Sequence, residues 1–224
     1  MAWVAEEDFN SYADGDLTGG NGGSGWSNTW GDVGSFQPNF TDVQGTTVYE
    51  GAKAVRNAGG VSAIGRTLTT ALTTGNSGII YLAIRRTTTA GTDGCNISFR
   101  NVSDQSRMKV EMNNSGNIII EGTVNQTVLA GYSADTWYVI RLTYNMTLGT
   151  YSGAYSTDAY GTAGTFSSES GTATMTNTGD IAWVVLNGGD SNTGLHDYIS
   201  ATSPFTAVAA GGRDARSLSL LGVG

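Results

Sequence analysis

The 224-residue sequence contains one cysteine and one histidine, and these scarcities exclude several classes of protein. A single cysteine, Cys95, rules out an internal disulfide framework. One histidine, His196, and one cysteine are too few to build a typical zinc or similar transition-metal site. The longest apolar runs are shorter than the roughly 20 residues that cross a bilayer as a helix, so we expect no membrane-spanning helix.

Charged residues are also scarce, at 13% of the chain, and their distribution is uneven. Residues 1–50 contain acids but no lysine or arginine, whereas residues 51–224 are neutral, which leaves a net charge of -8. An acidic chain without a basic stripe is repelled by phosphate backbones and by anionic membranes. We therefore expect no nucleic-acid partner and no membrane partner.

The first residues, MAWVAEEDFNSY, contain no basic segment followed by an apolar one, so no signal peptide is expected. Two explanations remain open. Either a processed segment is missing, or the protein leaves a cytoplasm without the secretory route, as virion proteins do. The second explanation predicts a location in the virion, which is extracellular after assembly.

Glycine (33 residues) and threonine (30 residues) are abundant instead. This composition is typical of many strands joined by turns, and no long segment has the helical period of 3.6 residues. Alternation with period 2 occurs at 78–86, 95–101, 107–122 (a hairpin), 137–145 and 180–189. Turn signals recur about every 8–12 residues, which predicts an all-β sandwich or barrel rather than βαβ units. We expect one domain over residues 1–209, with a long glycine- and aromatic-rich loop at 10–40.

The strand predicted at 137–145, WYVIRLTYN, has two distinct faces. One face carries Tyr138, Ile140, Leu142 and Tyr144, and the other carries Trp137, Val139, Arg141 and Thr143. The alternation predicts a central strand but does not show which face is buried.

The stretch GGNGGSGW, residues 19–26, satisfies the G-x-G-x-x-G pattern through Gly20, Gly22 and Gly25. A dinucleotide-binding loop needs a buried strand before the glycines and a helix after them. Here DGDLT precedes and WSNTWGD follows, and neither fits. The sequence therefore predicts glycines that provide positive φ angles and a close turn ending at a tryptophan anchor.

Three segments carry a resemblance to a known family. EDFNSYADGDLTGGNGGSGWSNTW (7–30) resembles the opening of concanavalin A-like, LamG-type jelly-roll domains of bacteriophage structural proteins and bacterial secreted proteins. DTWYVIRLTYN (135–145) resembles the central strand of that family, and GLHDYISATSPF (194–205) resembles its closing strand. The resemblance covers roughly residues 6–205 and implies an all-β, antiparallel two-sheet jelly-roll sandwich with its first and last strands adjacent.

Some jelly-roll relatives are glycoside hydrolases or alginate lyases, and the sequence lacks their motifs. Glycoside hydrolysis needs two carboxylates at a defined separation, but no E-x-D-x-x-E strand is present, nor the R-x-E-x-R and Gln-x-His strands of the lyases. Glu111 and Glu121 lie on the two arms of the hairpin, on a face that is most simply solvated. His196 precedes Asp197 without a nucleophile-elbow pattern, which is typical of a surface or hydrogen-bonded histidine. We therefore expect no enzymatic activity.

A structural calcium site remains an open hypothesis, because calcium takes oxygen ligands and the acidic first fifty residues supply them. Many relatives in the resembling family carry such a structural ion. If the first and last strands pair, Asp8 and Asp197 lie close enough to share an ion completed by loop carbonyls. The alternative is that both acids are solvated near a sheet edge.

Glycan binding is a further hypothesis, because aromatic faces pack against sugar rings. The predicted ligand-binding residues are Trp30, Tyr151, Tyr155 and Tyr160. The segment YSGAYSTDAYGTAG (151–164) places three of them among small polar residues, as in an adaptable binding loop. The alternative is that these rings pack in the core or at its rim.

The tail AGGRDARSLSLLGVG (210–224) combines a glycine hinge, two arginines and a small apolar patch. It predicts a docking arm that binds other virion proteins or a second copy in a homo-oligomer, as an added edge strand. A disordered or self-packed terminus is the alternative.

The leading functional hypothesis is a non-enzymatic phage virion module, a capsid or tail decoration, stabilising or adhesion protein. Its basis is the missing leader and catalytic motifs together with the family resemblance. The alternative is a carbohydrate-binding module of a secreted bacterial protein, and a third hypothesis is an enzyme with an unrecognised site.

Overall fold

A computed structural model describes residues 3–31, 41–57, 63–91, 94–188 and 194–206. Within these ranges the chain forms two antiparallel sheets joined by turns, without helices. In spatial order, the eight-stranded sheet contains β1 (Gly15–Asp16), β2 (Thr41–Gln44), β3 (Ala54–Asn57), β14 (Gly194–Ser200), β5 (Ser77–Arg86), β10 (Trp137–Asn145), β11 (Thr150–Ser156) and β12 (Ala173–Thr174). The six-stranded sheet contains β4 (Ala63–Leu72), β13 (Ile181–Asn187), β6 (Cys95–Arg100), β7 (Ser106–Met112), β8 (Ile118–Glu121) and β9 (Gln126–Leu129). No helix that could cross a membrane is found in the described part of the chain.

The arrangement is the antiparallel two-sheet jelly-roll sandwich predicted from the sequence. Each of the segments with period-2 alternation forms a strand, and 107–122 forms the β7–β8 hairpin in which Met112 pairs with Ile118. Glu7 exchanges two backbone hydrogen bonds with Ile199 of β14, at 2.9 and 2.8 Å. The amino-terminal segment therefore lies beside the closing strand, as the resemblance implied.

Strand β10 shows how the sheet divides core from surface. Its face of Tyr138, Ile140, Leu142 and Tyr144 is buried in the hydrophobic core between the sheets. The opposite face, which begins at Trp137, points away from the core, because successive side chains of a strand alternate sides. We call this outward surface of the eight-stranded sheet the outer face. It positions the candidate site.

The glycine-rich turn brings the amino-terminal loop against its own beginning. Gly23 has φ of 67°, and a Cβ there would lie 2.2 Å from the carbonyl oxygen of Glu6. Gly25 has φ of 78°, and a Cβ there would lie 2.6 Å from the Cα of Ala5. Trp26 follows and donates its Nε1–H to Glu6 O at 3.0 Å. The prediction of positive φ and close approach is confirmed at both glycines.

The amino-terminal loop then follows the free edge of β4. Trp26 pairs with Leu68, and Gly31 pairs with Gly65. Residues 32–40 of the predicted loop, with its Phe36 and Phe40, lie outside the described residues, as does the tail at 210–224.

Candidate functional site

Four aromatic rings form a row at one end of the outer face. Trp137, Tyr49, Tyr160 and Tyr198 follow one another with ring centroids 6.1, 6.1 and 5.6 Å apart. Trp137 begins β10, Tyr198 belongs to β14, and the other two rings come from loops. Tyr160 is the most open of the four, with 43% of its surface exposed. We call this set the aromatic row.

A β-bulge in the closing strand directs Tyr198 into the row. The pairing of β14 with β5 shifts register between Asp197 and Ile199, and Tyr198 has φ of 51°. A bulge inserts an extra residue and redirects its side chain. The hydroxyl of Tyr198 then donates to the carbonyl oxygen of Thr202 at 2.7 Å, which fixes the ring.

Asp197 fixes the loop that carries Tyr49. Its Oδ2 accepts the backbone N–H groups of Tyr49 and Glu50, at 2.9 and 3.2 Å, and its Oδ1 accepts that of Tyr198 at 2.8 Å. Burial, together with the nearby charge of Glu50, holds the pKa of Asp197 well above its usual range, although these three hydrogen bonds lower it. Tyr49 also donates its hydroxyl to the carbonyl oxygen of Asp158 at 3.1 Å. The buried carboxyl group thus positions two rings of the row.

Two open cavities border the aromatic row, one lined by Tyr160 and Tyr198 and the other by Tyr49 and Trp137. The acidic cavity, of about 520 Å³, lies on the Tyr198 side and is lined by Glu6, Glu7, Asp8 and Glu50 among others, although the carboxyl group of Glu7 is itself buried against Arg66. The tryptophan cavity, of about 400 Å³, lies on the other side and is lined by Tyr49, Trp137, Asp135 and Asp158 among others. No lysine, arginine or histidine is among the described residues that line either cavity.

The acids of the acidic cavity act on one another and on the row. Burial raises the pKa of Glu50, and the negative charge of Asp8 raises it further. Burial and the charges of Glu50, Asp8, Asp197 and Glu6 raise the pKa of Tyr160. The cavity is therefore electronegative, and Tyr160 keeps its proton at any physiological pH.

The structure places the predicted ligand-binding residues in different environments. Trp30 and Tyr151 are fully buried, so neither ring presents an open face at the surface of this structure. The indole N–H of Trp30 donates to Glu7 at 3.1 Å, and the hydroxyl of Tyr151 donates to the backbone carbonyl of Glu121. Tyr155 is half-buried against Tyr138, with centroids 6.2 Å apart, and lines a third cavity of about 250 Å³.

Of the predicted aromatic residues, Tyr160 belongs to the row, whereas sequence reasoning missed its three companions. Trp137 could have been found, because it begins the outward-facing set of β10 residues. Tyr49 and Tyr198 depend on a long-range contact and a bulge, for which the alternation pattern contains no signal.

The two acids predicted to share a calcium ion lie in different environments. Asp8 is exposed and lines the acidic cavity, whereas Asp197 is buried with both oxygens bonded to backbone N–H groups. Among the described residues, no group of three or more acids, histidines or cysteines is placed to hold a metal ion. Calcium stays a prediction of the sequence.

The hairpin acids lie on the other sheet, away from the row. The Nζ atom of Lys109 lies 2.7 Å from Glu111 and 2.6 Å from Glu121. Arg107, on the same side of β7, is buried and donates to the carbonyl oxygen of Gly179. The prediction of a simply solvated face is therefore wrong, because these groups pair with one another and with the backbone.

His196 is buried inside the sandwich rather than at the surface. Its Nε2 lies 3.6 Å from Cys95 Sγ, and burial lowers its pKa to about 3. A neutral imidazole packed beside a core cysteine fits the hydrogen-bonded alternative predicted for it, and Cys95 is itself fully buried.

Comparison with known proteins identifies the fold. No family model and no curated sequence matches the chain. The globular domain of T. cruzi calreticulin superposes with a TM-score of 0.53 at 8% identity, covering 89% of each chain. Cellulose induced protein, Cip1, gives 0.52 at 14% identity, covering 90% of this chain and 98% of that one. A sialidase gives 0.51 at 10% identity over 73% of this chain, which spans only 16% of the sialidase. At these identities the likeness shows the fold alone, a concanavalin A-like jelly-roll sandwich.

Proposed function

We propose that the protein is a carbohydrate-binding module whose ligand docks on the aromatic row. The observation that carries the proposal is the position of Tyr160 and Trp137, whose rings border two open cavities lined by carboxyl and hydroxyl groups. An aromatic face packs against the apolar face of a sugar ring, and a few convergent polar groups pair with its hydroxyls. The aromatic row supplies the aromatic faces, and Glu50, Asp158 and Thr202 supply the polar groups.

The rigidity of the row supports binding. Hydrogen bonds hold Tyr49 and Tyr198 in place, and the loop that bears Tyr160 is tied down where Gly161 N donates to Pro204 O at 2.8 Å. Ordering side chains and loops on association costs free energy, so a site that is already ordered binds more tightly. The rings need little rearrangement to receive a ligand.

The proposal corresponds to the alternative hypothesis drawn from the sequence. The leading hypothesis, a phage virion module, stays a prediction, since none of the described contacts bears on it. The protein is proposed to bind glycans without cleaving a bond. A virion adhesion module that binds host glycans would satisfy both the virion hypothesis and the carbohydrate-binding hypothesis.

A glycan array and retention on insoluble polysaccharides test the proposal. We expect the wild-type protein to bind at least one glycan class, and Trp137→Ala and Tyr160→Ala each to weaken binding by about tenfold, the loss typical of a central aromatic contact. Trp183→Ala is the matched control, because Trp183 is a half-buried tryptophan on the six-stranded sheet. Absence of any glycan binding would refute the proposal, as would equal losses in the control.

A further inference from the structure

A hydroxyl-lined groove lies at the far end of the outer face. Six residues along β10 separate Trp137 from Thr143, which is about 20 Å at the rise of a strand. Here a groove of about 360 Å³ is lined by Ser77, Ile79, Thr143, Asn145, Thr150 and Ser152 among others. We call it the hydroxyl groove. The described residues that line it include no acid, lysine, arginine or histidine.

Strand register makes the hydroxyl groove an ordered surface. Thr143 pairs with both Ile79 and Ser152, and Asn145 pairs with both Ser77 and Thr150. Residues directly opposite one another across antiparallel strands point to the same side of the sheet. The groove is therefore built from two parallel rows of short side chains, each three strands wide.

Two hydroxyl groups of the hydroxyl groove, those of Ser77 and Thr150, make no hydrogen bond to the described part of the protein. The hydroxyls of Thr143 and Ser152 donate to Glu169, at 3.4 and 2.8 Å. Ile79, which pairs with Thr143 and lies two residues from Ser77, is exposed to 38%. An apolar spot bordered by hydroxyls matches a sugar ring, whose faces carry C–H groups and whose rim carries hydroxyls.

A continuous path joins the groove to the aromatic row. The cavity lined by Tyr155 shares Thr157 and Asp158 with the tryptophan cavity and extends to Phe166. The guanidinium of Arg141 lies 4.8 Å from the centre of the Phe166 ring, and it donates to Glu169 Oε1 at 2.7 Å.

The last step of the path reaches the groove itself. The other oxygen of Glu169 accepts the hydroxyl of Ser152 at 2.8 Å. Cavities at both ends and polar side-chain contacts between them thus extend from Trp137 to Ser152 along the outer face.

We propose that the hydroxyl groove is a second sugar subsite, and that the ligand is a linear, uncharged glycan chain that occupies both ends of the outer face. This inference rests on the proposed function, because the first subsite is the aromatic row. A single sugar fills one cavity, whereas a chain gains contacts in the row, at Arg141 and in the groove. Affinity therefore increases with chain length.

Titration calorimetry with cello-, xylo- and manno-oligosaccharides, from disaccharide to octasaccharide, tests the inference. We expect wild-type affinity to rise with length in the series that binds. The double variant Ser77→Ala/Thr150→Val should lower octasaccharide affinity about fivefold, because it removes two hydrogen bonds to the ligand, and should leave disaccharide affinity unchanged. Trp137→Ala should lower the affinity for both the disaccharide and the octasaccharide.

Thr69→Val/Thr70→Val is the matched control, because these exposed threonines lie on β4 of the other sheet. Valine favours strands, and equal melting temperatures establish that both double variants fold. If disaccharide and octasaccharide bind the wild-type protein equally, or if the groove variant keeps full octasaccharide affinity, the second subsite is refuted while the aromatic row stands. If no oligosaccharide binds the wild-type protein, the proposed function fails as well.

Discussion

Arg66 Nη1 lies 2.9 Å from Glu7 Oε2, and the two side chains are only 2% and 0% exposed. The same carboxyl oxygen accepts the hydroxyl of Tyr12 at 2.9 Å and the indole N–H of Trp30 at 3.1 Å. Arg66 also donates to the carbonyl oxygen of Gly22 at 2.6 Å. This buried pair ties the amino-terminal loop to β4, and with it the segment that supplies acids to the acidic cavity.

Breaking the pair should destabilise the protein strongly. Arg66→Leu leaves the carboxyl group of Glu7 buried without its cation, so we expect the free energy of unfolding to fall by about 3–5 kcal/mol. Urea denaturation provides the measurement. Arg56→Leu is the control, because the Arg56–Asp42 pair is 3.5 Å long and about half exposed, and it should cost less than about 1 kcal/mol.

A double-mutant cycle separates the pair from its surroundings. Glu7→Gln/Arg66→Leu should be less destabilised than the sum of the two single variants, because no unpaired charge remains. Strict additivity would mean that the two side chains do not interact.

Leu142 tests the assignment of the core face of β10. It is fully buried between the sheets, so Leu142→Ala removes apolar contacts and should cost about 2–5 kcal/mol in the free energy of unfolding. The neighbouring Thr143→Ala, on the outer face, is the control and should cost far less. A loss below about 0.5 kcal/mol for Leu142→Ala would contradict the register described here.

The lowered pKa of His196 should make the free energy of unfolding depend on pH. Its pKa is about 3 in the folded protein, because of burial, and about 6.5 in an unfolded chain. The unfolded state therefore takes up a proton first as the pH falls. The contribution of His196 to stability is complete above about pH 6.5 and is lost progressively toward pH 3, by about 1.4 kcal/mol per pH unit.

Two measurements check this dependence. Denaturation of wild-type protein and His196→Gln between pH 7 and pH 5 should show a steeper loss of stability toward pH 5 in the wild type, and the difference between the two slopes measures the contribution of His196. The imidazole NMR signals of the folded wild-type protein should stay unchanged down to about pH 4, which needs no variant. A titration midpoint near 6.5 would show that the ring is solvated.

The charge of the acidic cavity should affect glycan choice. Glu50→Gln keeps an oxygen for the Asn10 side chain, which now donates to Glu50 at 2.7 Å, and removes one negative charge beside Asp8. We expect binding of an anionic polysaccharide such as polygalacturonate to strengthen about threefold, and binding of a neutral glycan to change little. Asp180→Asn, an exposed acid that lines neither described cavity, serves as control. Equal effects in both variants would point to net charge alone.

Calcium binding can be tested by melting. An ion held partly by Asp8 and Asp197 would raise stability by about 2.7 kcal/mol at a hundredfold excess over its Kd. The melting temperature should then be higher with calcium than with a chelator, and Asp8→Asn should remove the difference. Equal midpoints with and without the ion would exclude the site.

The sequence predicts the sheets better than it predicts the site, for a physical reason. Alternation along β10 and the positive φ at Gly23 are set by neighbours in the chain, so both can be derived from local pattern. Trp30 and Trp137 look alike as aromatic residues, but Glu7 draws one into the core whereas the other stays at the surface. The place of Tyr49 depends on the buried Asp197, which is 148 residues away.

Because Glu7 pairs with Ile199, the fold can be completed only late in the synthesis of the chain. A ribosome releases the amino-terminal segment long before it makes the strand that segment pairs with, so the acidic cavity and the Tyr198 end of the row close only after nearly all the described residues have emerged. Contacts between such distant positions form slowly. A nascent or prematurely terminated chain can therefore build most of the six-stranded sheet, yet it lacks the binding surface until β14 docks.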